Sequence, residues 1–138
     1  MLDFLKKEKN DPNKLTGIIS ELLSLQSATH GRSLNNLAST LAAHQPASGY
    51  VFGFHDCAVQ RFGIYDEKNP ELATLFIKEN YQRLFGKKAG LSLYKKAIYS
   101  EDESLFSQGR IDGGTDFHEF LANQTPPLGL SRILSKRG

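Results

Sequence analysis

Residues 49–62 read Gly-Tyr-Val-Phe-Gly-Phe-His-Asp-Cys-Ala-Val-Gln-Arg-Phe and form the most apolar stretch of the chain. As a helix, this stretch has apolar residues on nearly every side and only a narrow polar strip through Asp56 and Gln60, which is typical of a central, buried helix. A strand over residues 50–55 is the alternative, because aromatic and β-branched residues favour strands and short apolar runs fit either period. The helix is preferred because the pattern continues to residue 62, past the usual length of a strand.

Helix signals flank this central stretch on both sides. Two pairs of a cap residue and a proline, Asp11-Pro12 and Asn69-Pro70, are typical of helix starts, and apolar residues at three- and four-residue spacing follow each pair. Ser33 is expected to cap a shorter second helix, which the polar and proline-containing run at residues 44–49 is expected to end.

In the second half of the chain, glycines are expected to mark where one helix ends and the next begins. Gly86 is expected to end the helix that the second proline starts, and a shorter helix is expected over residues 91–99. Gly109 is expected to end another helix over residues 102–108, and Gly113-Gly114 predicts a turn before a last helix.

These patterns predict an all-α fold, a compact single-domain bundle of about six helices around the central apolar helix at residues 49–62. An α+β fold with a short strand at residues 50–55 is the alternative. The chain has 138 residues, of which 39% are hydrophobic, and this is enough for one core. We expect residues 1–10 to be a flexible N-terminus, residues 11–124 to form the helical domain, and residues 125–138 to form an extended basic tail.

The cysteine content and the hydropathy bear on location. Cys57 is the single cysteine, so the chain cannot form an intramolecular disulfide, and a reducing compartment fits best. The first ten residues lack the order of charged and apolar residues found in a secretory signal, and no segment approaches the roughly 20 apolar residues of a membrane span. We therefore expect a cytoplasmic protein that does not use a membrane.

The formal charge of +2 hides an uneven distribution. Between residues 78 and 96, six cations and one acid give +5, whereas between residues 101 and 119, one cation and six acids give −5. The six cations, called the basic band, are Lys78, Arg83, Lys87, Lys88, Lys95 and Lys96. A solvated helix face is the simplest interpretation of the band. As a binding surface, it favours an acidic protein over nucleic acid.

Small residues recur at four-residue spacing on the central helix, at Gly49, Gly53 and Cys57. Such a stripe lets another backbone approach closely, so a tight helix crossing is the preferred interpretation. The alternative is a ligand or partner groove over the stripe, which Tyr50, Phe54, His55 and Asp56 would line together with the three small residues. Asp56 on so apolar a helix needs a hydrogen bond or a cation, with Arg61 or Arg32 as candidates.

No residue pattern predicts a catalytic, metal or cofactor site. Neighbouring residues point about 100° apart on a helix, so His55, Asp56 and Cys57 cannot converge on one atom. The histidines and acids of the chain do not repeat with the spacing of zinc ligands. We therefore predict no catalytic residue, no metal ligand and no cofactor.

The pattern Gly49-Tyr50-x-x-Gly53-x-x-Asp56 resembles a stretch of small bacterial helical proteins such as periplasmic immunity proteins. The resemblance covers eight residues. The chain departs from those proteins because it lacks their paired cysteines, so no function is carried over from the resemblance.

The sequence predicts a small non-enzymatic interaction protein of the adaptor, chaperone or inhibitor type, whose partner is another protein or a second copy of itself. The first alternative is a small-molecule or metal-binding protein, with enzymes among the possibilities, whose site lies around Gly53, His55, Asp56 and Cys57. Its small-molecule ligand is not specified by any residue pattern. The second alternative is nucleic-acid binding through the basic band, residues 78–96.

Overall fold

A computed structural model describes residues 11–31 and 33–137 and contains seven helices within them. The predicted all-α fold is confirmed, and residues 50–55 lie in a helix rather than in a strand. The expected flexible N-terminus, residues 1–10, lies outside the described residues. The helices are α1 (Pro12–Ala28), α2 (Leu34–Ala43), α3 (Gln45–Arg61), α4 (Glu71–Phe85), α5 (Lys87–Tyr99), α6 (Ser104–Asn123) and α7 (Gly129–Arg137).

The central helix α3 contacts each of the other six helices. Its buried residues lie on all sides, as the apolar sequence predicts, and include Tyr50, Val51, Phe54 and His55, each with no exposed surface. On one side, α6 packs on α3 and on α7. On another, α4 and α5 pack on each other, on α2 and on α3. The helices that carry the basic band therefore pack on α3 but make few contacts with α6.

The first two helices begin where their cap residues predict. The Asp11 carboxylate accepts a hydrogen bond from the backbone N–H of Asn13 at 3.0 Å, and Pro12 is the first residue of α1. The Ser33 hydroxyl accepts from the backbone N–H of Asn36 at 3.3 Å and caps α2.

The run at residues 44–49 does more than end α2. His44 ends that helix and also caps α3, because its Nδ1 accepts a hydrogen bond from the backbone N–H of Ala47 at 3.2 Å. Pro46 lies in the first turn of α3, where its missing N–H costs no helical hydrogen bond. The central helix therefore begins at Gln45, four residues earlier than residue 49.

Helices α4 and α5 do not begin as the sequence predicts. Pro70 itself is the N-cap of α4, and the Asn69 side chain makes no capping bond. Gly86 ends α4 with a positive φ of 97°, and α5 begins at the next residue. Gly90 therefore lies inside α5, where a Cβ would collide with the carbonyl oxygen of Tyr81 in α4.

The prediction for residues 102–123 was wrong in its boundaries. A single helix, α6, runs through Gly109, Gly113 and Gly114, and no turn occurs at the glycine pair. Each interior glycine costs about 1 kcal/mol of helix propensity relative to alanine. The close packing of α6 against α3 compensates for this cost, because the contact needs glycine at two of the three positions.

The C-terminal segment is a second correction. The expected extended tail at residues 125–138 is extended only up to residue 128, and α7 follows. Leu130 is fully buried and Leu134 is nearly so, so α7 belongs to the core. Within the described ranges, no helix has the length and apolar character to cross a bilayer.

Candidate functional site

The small-residue stripe of α3 is the contact with α6. A Cβ at Gly49 would collide with the carbonyl oxygen of Phe106, and a Cβ at Gly53 would collide with that of Arg110. The contact is reciprocal, because Cβ atoms at Gly109 and Gly113 of α6 would collide with the carbonyl oxygens of Pro46 and Tyr50. In both sets, a step of four residues along one helix is matched by a step of four in the same direction along the other. The two helices therefore run parallel with their backbones in contact.

This contact bears on the interpretation of the stripe. The backbone of α6 occupies the space along Gly49 and Gly53, and the Cβ of Cys57 lies against Gly114. A tight helix crossing therefore accounts for the stripe. A ligand groove along the same face does not fit this packing.

The two large aromatic residues of the predicted groove are core residues. Phe54 packs edge-on against Phe117 of α6, with ring centroids 4.9 Å apart. The Tyr50 hydroxyl donates a 2.7 Å hydrogen bond to the Asp116 carboxylate and accepts one from Gln26 at 3.2 Å. Burial, followed by the nearby carboxylate, raises the pKa of Tyr50 well above its usual range, so its hydroxyl keeps its proton.

His55 is fully buried and makes two hydrogen bonds that define its tautomer. Its Nδ1 lies 2.8 Å from the carbonyl oxygen of Val51, which can only accept, so Nδ1 carries the proton. Its Nε2 then accepts from the Asn80 amide at 2.8 Å. Burial lowers the pKa of His55 to about 4, so the ring is neutral at physiological pH.

Next to this histidine lie two polar atoms without partners. The Asn80 Oδ1 and the Tyr81 hydroxyl are buried and make no hydrogen bond. The Tyr81 ring packs on His55 with centroids 4.9 Å apart, and burial raises the pKa of this tyrosine. These groups form a polar cluster closed off from solvent.

Asp56 pairs with a residue that sequence reasoning did not consider. Arg110 Nη2 of α6 donates to the Asp56 carboxylate at 2.9 Å, and the guanidinium also lies over the Phe52 ring. Neither predicted partner is found there, since Arg61 makes no ion pair with Asp56 and Arg32 lies outside the described residues. The ion pair therefore connects α3 to α6 at the partly exposed edge of their crossing.

Cys57 is half-buried beside this ion pair. Burial raises the pKa of its thiol, so the thiol is protonated at neutral pH and is a weak nucleophile. In the part of the chain that the structure describes, no three His, Cys, Asp or Glu side chains are placed to bind a metal ion. The chemistry-bearing residues 55–57 thus do not form one site.

A polar network that the sequence did not indicate anchors the start of α7. The Asp116 carboxylate accepts a 2.8 Å hydrogen bond from the backbone N–H of Gly129, and the Gln26 side-chain oxygen accepts one of 2.9 Å from that of Leu130. These bonds satisfy N–H groups at the first turn, which have no partner within the helix. The helical spacing of Leu130, Ile133 and Leu134 is the one local signal that could have predicted α7.

An open apolar groove lies on the surface next to this network and was also missed. It has a volume of about 760 Å³ and lies between α1, the C-terminal end of α6, the segment 124–128 and the start of α7. Ile18, Leu22 and Leu25 line the α1 wall, and Phe120 and Leu128 line the opposite wall. We call this feature the α1–α7 groove. Its walls come from opposite ends of the sequence, so no local pattern reveals it.

The basic band lies on the surface of α4 and α5. Arg83, Lys87, Lys88 and Lys95 are exposed, and none makes an ion pair with any described residue. The other two cations are less available. Lys78 is half-buried, and the Lys96 ammonium donates a hydrogen bond to the carbonyl oxygen of Ala42, close to the end of α2.

No protein-family model, no curated protein and no solved structure matches the chain. Support for a function therefore comes from the geometry of the chain itself.

Proposed function

We propose that the protein is a small, non-enzymatic interaction module of the cytoplasm, which binds an acidic surface of a partner protein through the basic band. The four exposed cations of the band, Arg83, Lys87, Lys88 and Lys95, are the residues that contact the partner. Lys78 and Lys96 contribute to the positive potential of the same face.

The separation of charge in three dimensions is the observation that carries this proposal. The acidic stretch at residues 101–119 comprises the turn after α5 and most of α6, and α6 packs on α3 and makes few contacts with the helices of the band. Two of its acids bond inside the molecule, Glu101 near Arg110 at 3.9 Å and Asp116 with Tyr50 and Gly129. The four exposed cations of α4 and α5 therefore reach solvent without an ion pair to a described residue. Their field steers the encounter with an acidic partner.

The placement of the reactive side chains supports a binding role over a chemical one. His55 is buried and neutral, Asp56 is paired with Arg110, and the Cys57 thiol has a raised pKa. None of the three lines the α1–α7 groove. The single thiol also fits a reducing compartment.

Binding to a defined acidic polypeptide tests the proposal. Poly-L-glutamate is titrated against the full chain by fluorescence anisotropy across a salt series, and single-stranded poly(dT) is titrated in parallel. Poly-L-glutamate binding should weaken steeply with salt, because the Debye length is about 10 Å at 0.1 M and shrinks further above it. The double variant Lys87→Glu, Lys88→Glu should raise the dissociation constant by about tenfold or more.

The matched control is Arg132→Glu, Lys136→Glu, which makes the same change in net charge on exposed residues of α7. It should bind poly-L-glutamate nearly as well as the wild type. An equal loss in both variants would mean that net charge alone drives binding and would contradict a role for the band. Tighter binding to poly(dT) than to poly-L-glutamate would instead favour nucleic acid as the partner.

A further inference from the structure

One face of α5 points away from the rest of the fold. The helix packs on α2, α3 and α4 and has its buried residues on one side, at Gly90, Leu93, Tyr94 and Ala97. The opposite side has four exposed residues at four-, three- and four-residue spacing, so they form one line along the helix. We call this line the α5 stripe. It consists of Lys88, Ser92, Lys95 and Tyr99 and is about 16 Å long.

The two cations of the α5 stripe are available to an external anion. Lys88 and Lys95 are exposed, and neither makes an ion pair with any described residue. They lie two turns apart, about 10 Å along the helix, and the residue between them on the stripe is the uncharged Ser92. A partner that packs along the stripe removes water from both ammonium groups. It must therefore place acidic side chains opposite them, because a desolvated cation without a counter-charge is costly.

The α5 stripe ends in an aromatic residue. The Tyr99 side chain is 86% exposed, more than any other large apolar or aromatic residue in the described ranges. It lies one turn beyond Lys95 on the same line. Tyrosine is common at the centres of protein interfaces, because its ring offers a large apolar surface and its hydroxyl can stay in water. An apolar side chain of the partner is therefore the group that fits against Tyr99.

The charge reverses directly beyond Tyr99. Glu101, Asp102 and Glu103 are exposed in the turn between α5 and α6. A partner segment that remained acidic past Tyr99 would meet these like charges, and so would the anionic surface of a lipid bilayer. The arrangement therefore favours a polypeptide over a membrane. It also requires that the acids of this polypeptide lie on only one side of its apolar residue.

We propose that the α5 stripe docks an acidic segment of a partner protein, with acids opposite Lys88 and Lys95 and a terminal apolar residue packed on Tyr99. This inference rests on the proposed function, because it takes the basic band as the binding surface. It adds the aromatic contact and the order of charges in the partner. The lysines attract any polyanion, whereas Tyr99 selects an acidic segment that ends in an apolar residue.

Three fluorescently labelled peptides of equal length test the proposal on the full chain. The first is a run of glutamates followed by serine, the second is the same run followed by phenylalanine, and the third has that phenylalanine in the middle of the run. The second should bind the wild type about fivefold more tightly than the first, because its ring packs on Tyr99. The third should bind less tightly than the second, because part of its glutamates then lie beyond Tyr99 and face residues 101–103.

Variants of Tyr99 identify the contact. Tyr99→Ser should bind the first two peptides equally, with the wild-type affinity for the first, and Tyr99→Phe should keep the preference for the second. Leu25→Ser is the matched control, since it also removes a largely exposed apolar side chain, but on α1. It should keep the wild-type preference. Both positions are mostly in water, so these variants should fold, and circular dichroism verifies this.

The outcomes separate this inference from the function on which it rests. If the wild type binds the first two peptides equally, or if Tyr99→Ser keeps the preference, the inference is wrong and the proposed function stands. If no peptide binds, or if Lys87→Glu, Lys88→Glu binds the first peptide like the wild type, the proposed function fails as well. Tyr99-dependent binding to vesicles of phosphatidylserine and phosphatidylcholine, tighter than to the second peptide, would make the stripe a membrane contact and would also overturn the inference.

Discussion

At the scale of single residues, His55 is kept neutral by burial. Its Nδ1–H donates to Val51 and its Nε2 accepts from Asn80, so a second ring proton would face a donor instead of an acceptor. The burial of the ring removes the water that would solvate a charge. The Tyr81 ring lies against it, and burial raises the pKa of this tyrosine, so it adds no charge next to the histidine.

We predict that acid destabilises the fold through His55. Its pKa is about 4 in the folded protein, against an ordinary value of 6.5. Between these two values the unfolded chain binds more protons than the folded one, so stability is full above pH 6.5 and falls as the pH drops toward 4. The total loss from this residue is on the order of 3 kcal/mol. Urea unfolding at a series of pH values measures it.

Two variants separate His55 from the other groups that titrate in this range. His55→Gln removes the titrating ring, so the slope of unfolding free energy against pH between 6.5 and 4 should become shallower. His118→Gln, at an exposed position on α6, should keep the wild-type slope. If both variants keep it, the acid sensitivity does not come from His55.

At the scale of elements, the glycines of α6 show that residues with low helix propensity can allow close packing between two helices. Gly109 and Gly113 face the backbone of α3, where any Cβ would collide, whereas Gly114 has room for one. Local propensity favours a break at such glycines. The gain from close contact along α3 outweighs that preference.

Neighbouring substitutions test this account of α6. Gly113→Ala should lower the free energy of unfolding by about 3 kcal/mol, because its Cβ would collide with the carbonyl oxygen of Tyr50. Gly114→Ala should raise it by about 0.5–1 kcal/mol, because its Cβ would lie 3.6 Å from the Gly53 oxygen, an ordinary contact, and alanine is the better helix former. Urea titration followed by circular dichroism compares the two. If the two substitutions changed the free energy of unfolding by the same amount, the result would contradict the tight crossing.

At the scale of the whole molecule, α3 is the helix on which the other six pack. It contacts all six other helices, while α6 packs only on α3 and α7 to a substantial extent. The basic band and the acidic α6 therefore lie on helices that pack on α3 and make few contacts with each other. The same arrangement leaves α7 attached through a few buried side chains and the network of Gln26 and Asp116.

This arrangement predicts a gradient of local stability. Backbone amides of α3 should exchange hydrogen for deuterium most slowly, close to the rate set by global unfolding, and those of α7 should exchange faster through local opening. The reason is that α3 buries all its sides, whereas α7 is a short helix with one buried face. Hydrogen exchange followed by mass spectrometry measures this order. Equal protection of α7 and α3 would contradict it.

The candidate sites differ in how far sequence can predict them. The basic band is visible in the sequence as a run of cations, and its exposure follows from the amphipathic pattern of α4 and α5. The α1–α7 groove is not visible, because Leu25 and Leu128 look like ordinary apolar residues until their helices are placed side by side. The partner of Asp56 was missed for the same reason, since Arg110 is distant in the chain.

The sequence by itself determined where α1 and α2 begin, favoured a helix over a strand at residues 50–55 and indicated that α3 is central. Caps, prolines and apolar periodicity act within one or two turns, so these features need no knowledge of distant contacts. Only the tertiary structure decided whether a glycine ends a helix, as at Gly86, or lets two helices touch, as at Gly113. The reason is physical: the free energy of a close crossing depends on the backbone that packs there, and that backbone comes from elsewhere in the chain.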